Sequence, residues 1–101
     1  MRRAARVDAN HGVIREAYRL LGCSVADTFQ LGGGFPDMVV AKFGITDLVE
    51  VKDGSKPPSA RKLTDDEMQF HNKWNAKVWI IESVDDVLAH VEDITTRWEM
   101  K

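Results

Sequence analysis

Between Asp37 and Lys52 two short apolar runs, Met38-Val39-Val40-Ala41 and Leu48-Val49-Glu50-Val51, stand on either side of Gly44 with almost no chain left to connect them. Runs this close fold back as an antiparallel hairpin, because a parallel pair needs a crossover of about a dozen residues or more. The pattern predicts strands over 37–43 and 47–52, joined by a tight turn at Gly44, with the first strand buried on both faces.

The flanking chain fills out an α/β domain. Positions 10–22 read as a helix capped by Asp8 or Asn10 and stopped by Gly22, with Val13, Ile14, Ala17, Leu20 and Leu21 on the face that packs against a sheet. His11 and Tyr18 share one edge of that stripe, Glu16 lies beyond the other, and Arg15 and Arg19 fall opposite it. Positions 24–29 predict another strand, after which Gly32-Gly33-Gly34 breaks the chain ahead of Pro36. The segment 53–62, with Gly54, Pro57 and Pro58, is an irregular loop; Thr64 then opens a helix as N-cap, and Glu67 completes a capping box. That helix runs to about Trp74 with a mixed apolar face of Met68, Phe70, His71 and Trp74. Positions 77–82 predict the last strand, and Ser83 caps a closing helix built on Val84, Val87, Leu88 and Val91, with His90 on its surface and a tail from Thr95 that frays. The order is αβββαβα, a mixed four-stranded sheet flanked by helices.

A chain of 101 residues holds one domain, and 44% hydrophobic with 30% charged residues is the balance of a folded chain rather than a disordered one. No apolar run approaches the roughly 20 residues of a membrane helix, and Arg2, Arg3 and Arg6 precede no apolar signal segment, so a cytoplasmic location is expected. Cys23 is alone, which excludes an intramolecular disulfide and a multi-cysteine zinc site and suits a small buried thiol. The net charge of -2 gives no overall basic field for nucleic acid. Lys52, Lys56, Arg61 and Lys62 nevertheless gather in one segment, while Asp85, Asp86, Glu92 and Asp93 crowd the last helix.

The hairpin puts Asp37 at the start of one strand and Glu50 near the end of the next, so both carboxylates arrive at one edge of the sheet. Converging carboxylates repel, and the usual compensation is a hard divalent cation such as magnesium or manganese. Residues two apart on a strand share a face, so Glu50 and Lys52 emerge side by side with the Val51 carbonyl between them. Phosphodiester hydrolysis needs these parts: a cation to polarise the phosphoryl oxygen and acidify water, and a positive group to orient that water or neutralise the pentavalent transition state. Each residue also has a plain structural use, Asp37 opening a strand after Pro36, and Glu50 and Lys52 pairing on a solvent-facing edge.

Pro36-Asp37, twelve intervening residues and Glu50-Val51-Lys52 resemble the signature of the PD-(D/E)xK nuclease superfamily. The glycine run ahead of Pro36, the Asp53-Gly54 that follows Lys52, the basic Pro-Pro loop, and Leu63-Thr64 with Gln69 and His71 are similar to phage-type members of its VRR-NUC (virus-type replication-repair nuclease) branch, over about residues 8 to 92. The resemblance implies a restriction-endonuclease-like core and a Mg2+-dependent DNA endonuclease, with Mn2+ able to substitute and a 5′-phosphate product. It also implies a branched substrate such as a four-way junction, with the host cytoplasm as the location of a phage-encoded chain; a chain this small has few surfaces with which to embrace a duplex, so a homodimer presenting two sites is expected. Asp37, Glu50 and the Val51 carbonyl would hold the metal, and Lys52 would assist the attacking water. Family members often add an acid on the first helix where this chain has His11; the helical wheel turns Glu16, the nearby acid, away. Gln69 resembles a glutamine directed at the water or a substrate phosphate.

Lys56, Arg61 and Lys62 form either a solvated loop or a phosphate-holding surface. His71 is either a phosphate contact or a half-buried residue between Met68 and Trp74, while Trp74, Trp79 and Trp98 read as core or dimer contacts. The triple glycine, with no Gly-Lys-Ser/Thr after it and so no nucleotide-cradling loop, is expected to give the backbone room beside metal and substrate. The rival reading is a nuclease-like subunit that binds nucleic acid without cutting it, within a replication, repair or packaging assembly.

Overall fold

The elements in the computed structural model, which describes residues 7–101, are α1 (His11–Leu20), β1 (Ser24–Asp27), β2 (Met38–Lys42), β3 (Ile45–Val51), α2 (Asp65–Lys73), β4 (Val78–Ile81) and α3 (Val84–Glu99). Short 3-10 turns at Phe29–Leu31 and Pro58–Ala60 interrupt the two longest loops. The order αβββαβα is the one the sequence predicts, and the reading of Arg2, Arg3 and Arg6 lies outside the described residues. No helix among the described residues is long and apolar enough to cross a membrane.

The sheet is mixed, in the order β1-β2-β3-β4: β1 and β3 run antiparallel to β2, and β4 runs parallel to β3. Lys42 pairs with Ile45, so the hairpin turn is Phe43-Gly44, with φ of 57° and 76° at the two positions. Positive φ at both central residues is the turn whose twist matches that of the flanking strands. Glycine adopts it freely; Phe43 does so while its ring stacks on Trp98 at 4.2 Å.

The register sorts side chains between the two faces. Asp27, Met38 and Val49 are successive cross-strand neighbours and share a face with Val25, Val40, Val51 and Ile81. α1 and α3 cover that face, and Ile14, Tyr18, Val87 and Val91 complete its core with the buried Cys23. Leu48, Glu50 and Lys52 point to the other face, which the short α2 covers only at one end. That is why β2 is buried on one face instead of two: Met38 and Val40 are fully enclosed, while Val39 and Ala41 are half-covered.

The inward faces of the long helices are rotated from those that hydrophobicity picks out. On α1, Val13 is 60% and Leu20 is 88% exposed, whereas His11, Ile14 and Tyr18 point inward. On α3, Val84 and Leu88 are exposed and His90 is fully buried rather than on the surface. Hydrogen bonding makes this affordable: the Tyr18 hydroxyl meets His90 Nδ1 at 2.6 Å, and His90 Nε2 meets Asp47 Oδ2 at 2.7 Å. Arg97 adds its guanidinium to Asp47, and Trp79 stacks on the His90 ring at 4.1 Å. The end of α3 therefore stays helical to Glu99 instead of fraying from Thr95. Trp79 is a core contact as expected, while Trp74 and Trp98 are each 45% exposed.

Burial alone would raise the Asp47 carboxyl, yet the hydrogen bonds from His90 and Arg97 outweigh it and hold the carboxyl at about 2. A depressed folded-state value stabilises the fold above the ordinary aspartate range, and the contribution is lost as pH falls from about 4 towards 2. Asp47→Asn is expected to lose about 2 kcal/mol near neutral pH, a drop in Tm of about 10 °C. Its stability should also lack the steep acid limb of the wild type, and acid-unfolding curves that superimpose would contradict this assignment.

Candidate active site

Strand alternation brings Asp37, Glu50 and Lys52 to one place. The Asp37 N–H donates to the Val49 carbonyl, and the Asp37 carboxylate accepts from the Val51 N–H at 2.7 Å. A strand residue's N–H and C=O point the same way, so the Val51 carbonyl faces the space beyond the end of β2, beside Asp37. Glu50 and Lys52 stand two apart on the α2 side of β3, only 1% and 8% exposed.

α2 meets this pair in step. Its Glu67 takes the Lys52 ammonium at 2.8 Å, and its His71 sets Nε2 3.6 Å from Glu50 Oε1. Two strand residues span about 6.6 Å and four helical residues about 6 Å, so an i,i+2 pair on β3 matches an i,i+4 pair on α2. The helix is held in register by its own start: Glu67 Oε1 accepts from the Thr64 N–H while Thr64 Oγ1 accepts from the Glu67 N–H, the expected capping box. Gly34, at φ 82°, lies flat against the first turn, where an added Cβ would fall 2.2 Å from the Asp66 carbonyl oxygen. The triple glycine thus admits α2 to the sheet at Gly34, which corrects the expectation that it makes room for metal and substrate.

Asp8, Asp37, Glu50, Lys52, Lys56 and Glu67 line a pocket of about 380 Å3 at the end of the sheet. Four carboxyls there face two ammonium groups, an excess of two negative charges when all are ionised. The fold resolves this by protonation. Burial first, then the nearby carboxyls of Asp37 and Glu67, push Glu50 far above the usual carboxylate range. Burial would lower the Lys52 ammonium, but Glu67 outweighs it and keeps the lysine charged. Burial also lowers His71, so its ring is neutral near pH 7. Glu50 Oε1 and His71 Nε2 are both enclosed, and among the described residues neither has a hydrogen-bond partner.

The residues singled out from sequence divide sharply. Lys56 reaches the pocket, and His71, half-buried as one of its two readings expected, faces Glu50. Gln69 does not arrive: it is exposed and lines a separate groove with Gly33, Phe70 and Trp74, because two helical residues past Glu67 the side chain points to the far side of α2. His11 is spent elsewhere, its Nε2 2.8 Å from Asp27 on the α1 side of the sheet, with Arg15 on the same carboxylate. Arg61 is tied to Glu82 and the Lys56 carbonyl, and Lys62 is exposed. Glu16 pairs on the surface with Arg15 and Arg19.

Asp8 and Glu67 went unrecognised as pocket residues. Both carried a capping signal, which explained them sufficiently and hid the second use. Asn10, the other expected cap, makes no side-chain cap; its amide donates to the Lys52 and Glu82 carbonyls and seats α1 beside the pocket.

Among the described residues no three His, Cys, Asp or Glu side chains stand as a ready metal-holding group. The donor set at issue is smaller, two carboxylates and the Val51 carbonyl. It fits a hard divalent cation in three respects: oxygen donors throughout, an unpartnered buried carboxylate oxygen, and a charge excess equal to that of the ion. Comparison of the chain with protein-family models, curated proteins and solved structures finds no match in any of the three.

A glutamate raised in the fold favours folding below the ordinary glutamate range and works against it as pH climbs. Metal-free Glu50→Gln is therefore expected to melt about 5 °C or more above the wild type at pH 8, with the gap closing near pH 4. A variant that melts lower than the wild type at pH 8 would contradict the burial cost assigned to Glu50.

Proposed function

We propose that the chain is a metal-dependent DNA endonuclease of the PD-(D/E)xK kind, with the restriction-endonuclease-like core and VRR-NUC affinity that its motifs resemble. The observation that carries this reading is the buried Glu50 carboxyl, set among acids with one oxygen unpartnered and a charged lysine two residues away. A binding surface alone has no use for so costly a group. Asp37, Glu50 and the Val51 carbonyl would hold Mg2+, or Mn2+ in its place. The bound ion would polarise a phosphoryl oxygen and lower the pKa of water for attack.

The chain's own groups do the rest. Lys52, kept charged and fixed by Glu67, offers an ammonium to orient the attacking water or to neutralise the pentavalent phosphate. Lys56 at the pocket rim is placed to draw in a phosphate of the backbone. A 5′-phosphate product and a branched substrate such as a four-way junction rest on the resemblance. A homodimer would have Val13, Leu20, Val84 and Leu88, exposed on α1 and α3, as apolar area to cover. The rival, a subunit that binds nucleic acid without cutting it, draws on one observation, the pairing of Lys52 with Glu67.

Glu50→Ala and Lys52→Ala are each expected to reduce cleavage by at least about 100-fold with circular dichroism unchanged. The assay is a panel of junction, duplex and single-stranded DNA with Mg2+, Mn2+ or chelator. Wild-type activity in both variants would defeat the nuclease reading, and binding of duplex without any cleavage would favour the rival.

A further inference from the structure

His71 is a buried polar group beside the pocket whose purpose the cleavage chemistry leaves open. Its Nε2 is enclosed and lies 3.6 Å from Glu50 Oε1, also enclosed, and among the described residues neither atom has a hydrogen-bond partner. Two such atoms facing each other are costly as they stand. A closure of about half an ångström would turn the gap into a hydrogen bond from the imidazole N–H to an ionised carboxylate.

We propose that His71 is a positioning residue for Glu50: its Nε2–H donates to Glu50 Oε1 and so fixes the other carboxylate oxygen towards the cation. The inference rests on the metal-site reading of the pocket and replaces the phosphate-contact role suggested by sequence resemblance. Geometry favours it over that role, because Nε2 is directed at the carboxylate and the ring is largely covered, with 14% of the side chain exposed. A carboxylate that binds metal commonly needs such an outer partner, and losing one costs about 10- to 100-fold in metal affinity. The i,i+4 partner on the same helix face, Glu67, performs the parallel service for Lys52, so α2 orients both members of the β3 pair.

The test separates metal binding from nucleic-acid binding in the full chain. Mn2+ is titrated calorimetrically into the wild type, His71→Ala and His71→Gln, and affinity for a labelled duplex is measured in chelator. His71→Ala should lose about 10- to 100-fold in Mn2+ affinity while duplex affinity in chelator stays within twofold. His71→Gln, whose amide N–H reaches the same position, should recover most of the metal affinity. Unchanged Mn2+ affinity in His71→Ala would overturn the proposal, whether duplex binding or only the melting temperature falls. A wild type that binds no Mn2+ would instead remove the metal-site reading beneath it.

Discussion

A carboxylate taken out of water without a donor is among the most expensive objects a small domain can hold, and Glu50 is that object here. Its side chain is 1% exposed, an oxygen has no partner, and its nearest charged neighbours include two further acids. In the metal-free protein burial and the neighbouring acids push the carboxyl towards its protonated form. The same geometry has a better solution in a divalent cation, which would neutralise the excess charge and give the orphaned oxygen a partner. The surroundings of Glu50, from the Lys52–Glu67 pair to the seating of α2 against Gly34, fix this arrangement rather than relieve it.

Register is what makes the cluster. A two-residue turn at Phe43-Gly44 fixes the β2–β3 pairing, and a slip of one residue would send Glu50 and Lys52 into the apolar core and Val49 and Val51 outward. The apolar face under α1 and α3 supplies the stability, together with the Tyr18–His90–Asp47–Arg97 chain. The other face is left thinly covered, and its polar end forms the pocket around Glu50 and Lys52. Stability and the candidate site are thus divided between the two sides of one sheet.

The hairpin and the acids and amine on it were legible from sequence because they depend on period two and a tight turn, both local properties. The capping boundaries of α2 and α3 were legible for the same reason. The buried faces of α1 and α3 were legible only in part: Ile14, Val87 and Val91 are in the core as read, but Tyr18 and His90 are buried by partners far away in the chain, and an apolar count places such residues outside. Asp8 and Glu67 were hidden by their cap signals, and Gln69 and His11 were misplaced for a different reason. Resemblance supplied a residue type at a position, but helix phase decides where a side chain goes, and here it sends Gln69 to the outer side of α2 and His11 to Asp27.

The central claim is that the Glu50 carboxyl waits, protonated, for a cation. The direct measurement is a pH titration of the Glu50 side-chain carbon by 13C NMR, with and without saturating Mg2+. The account predicts a carboxyl still protonated at pH 7 in chelator and ionised at the same pH once Mg2+ is added. An ordinary midpoint near pH 4, identical in both conditions, would contradict it.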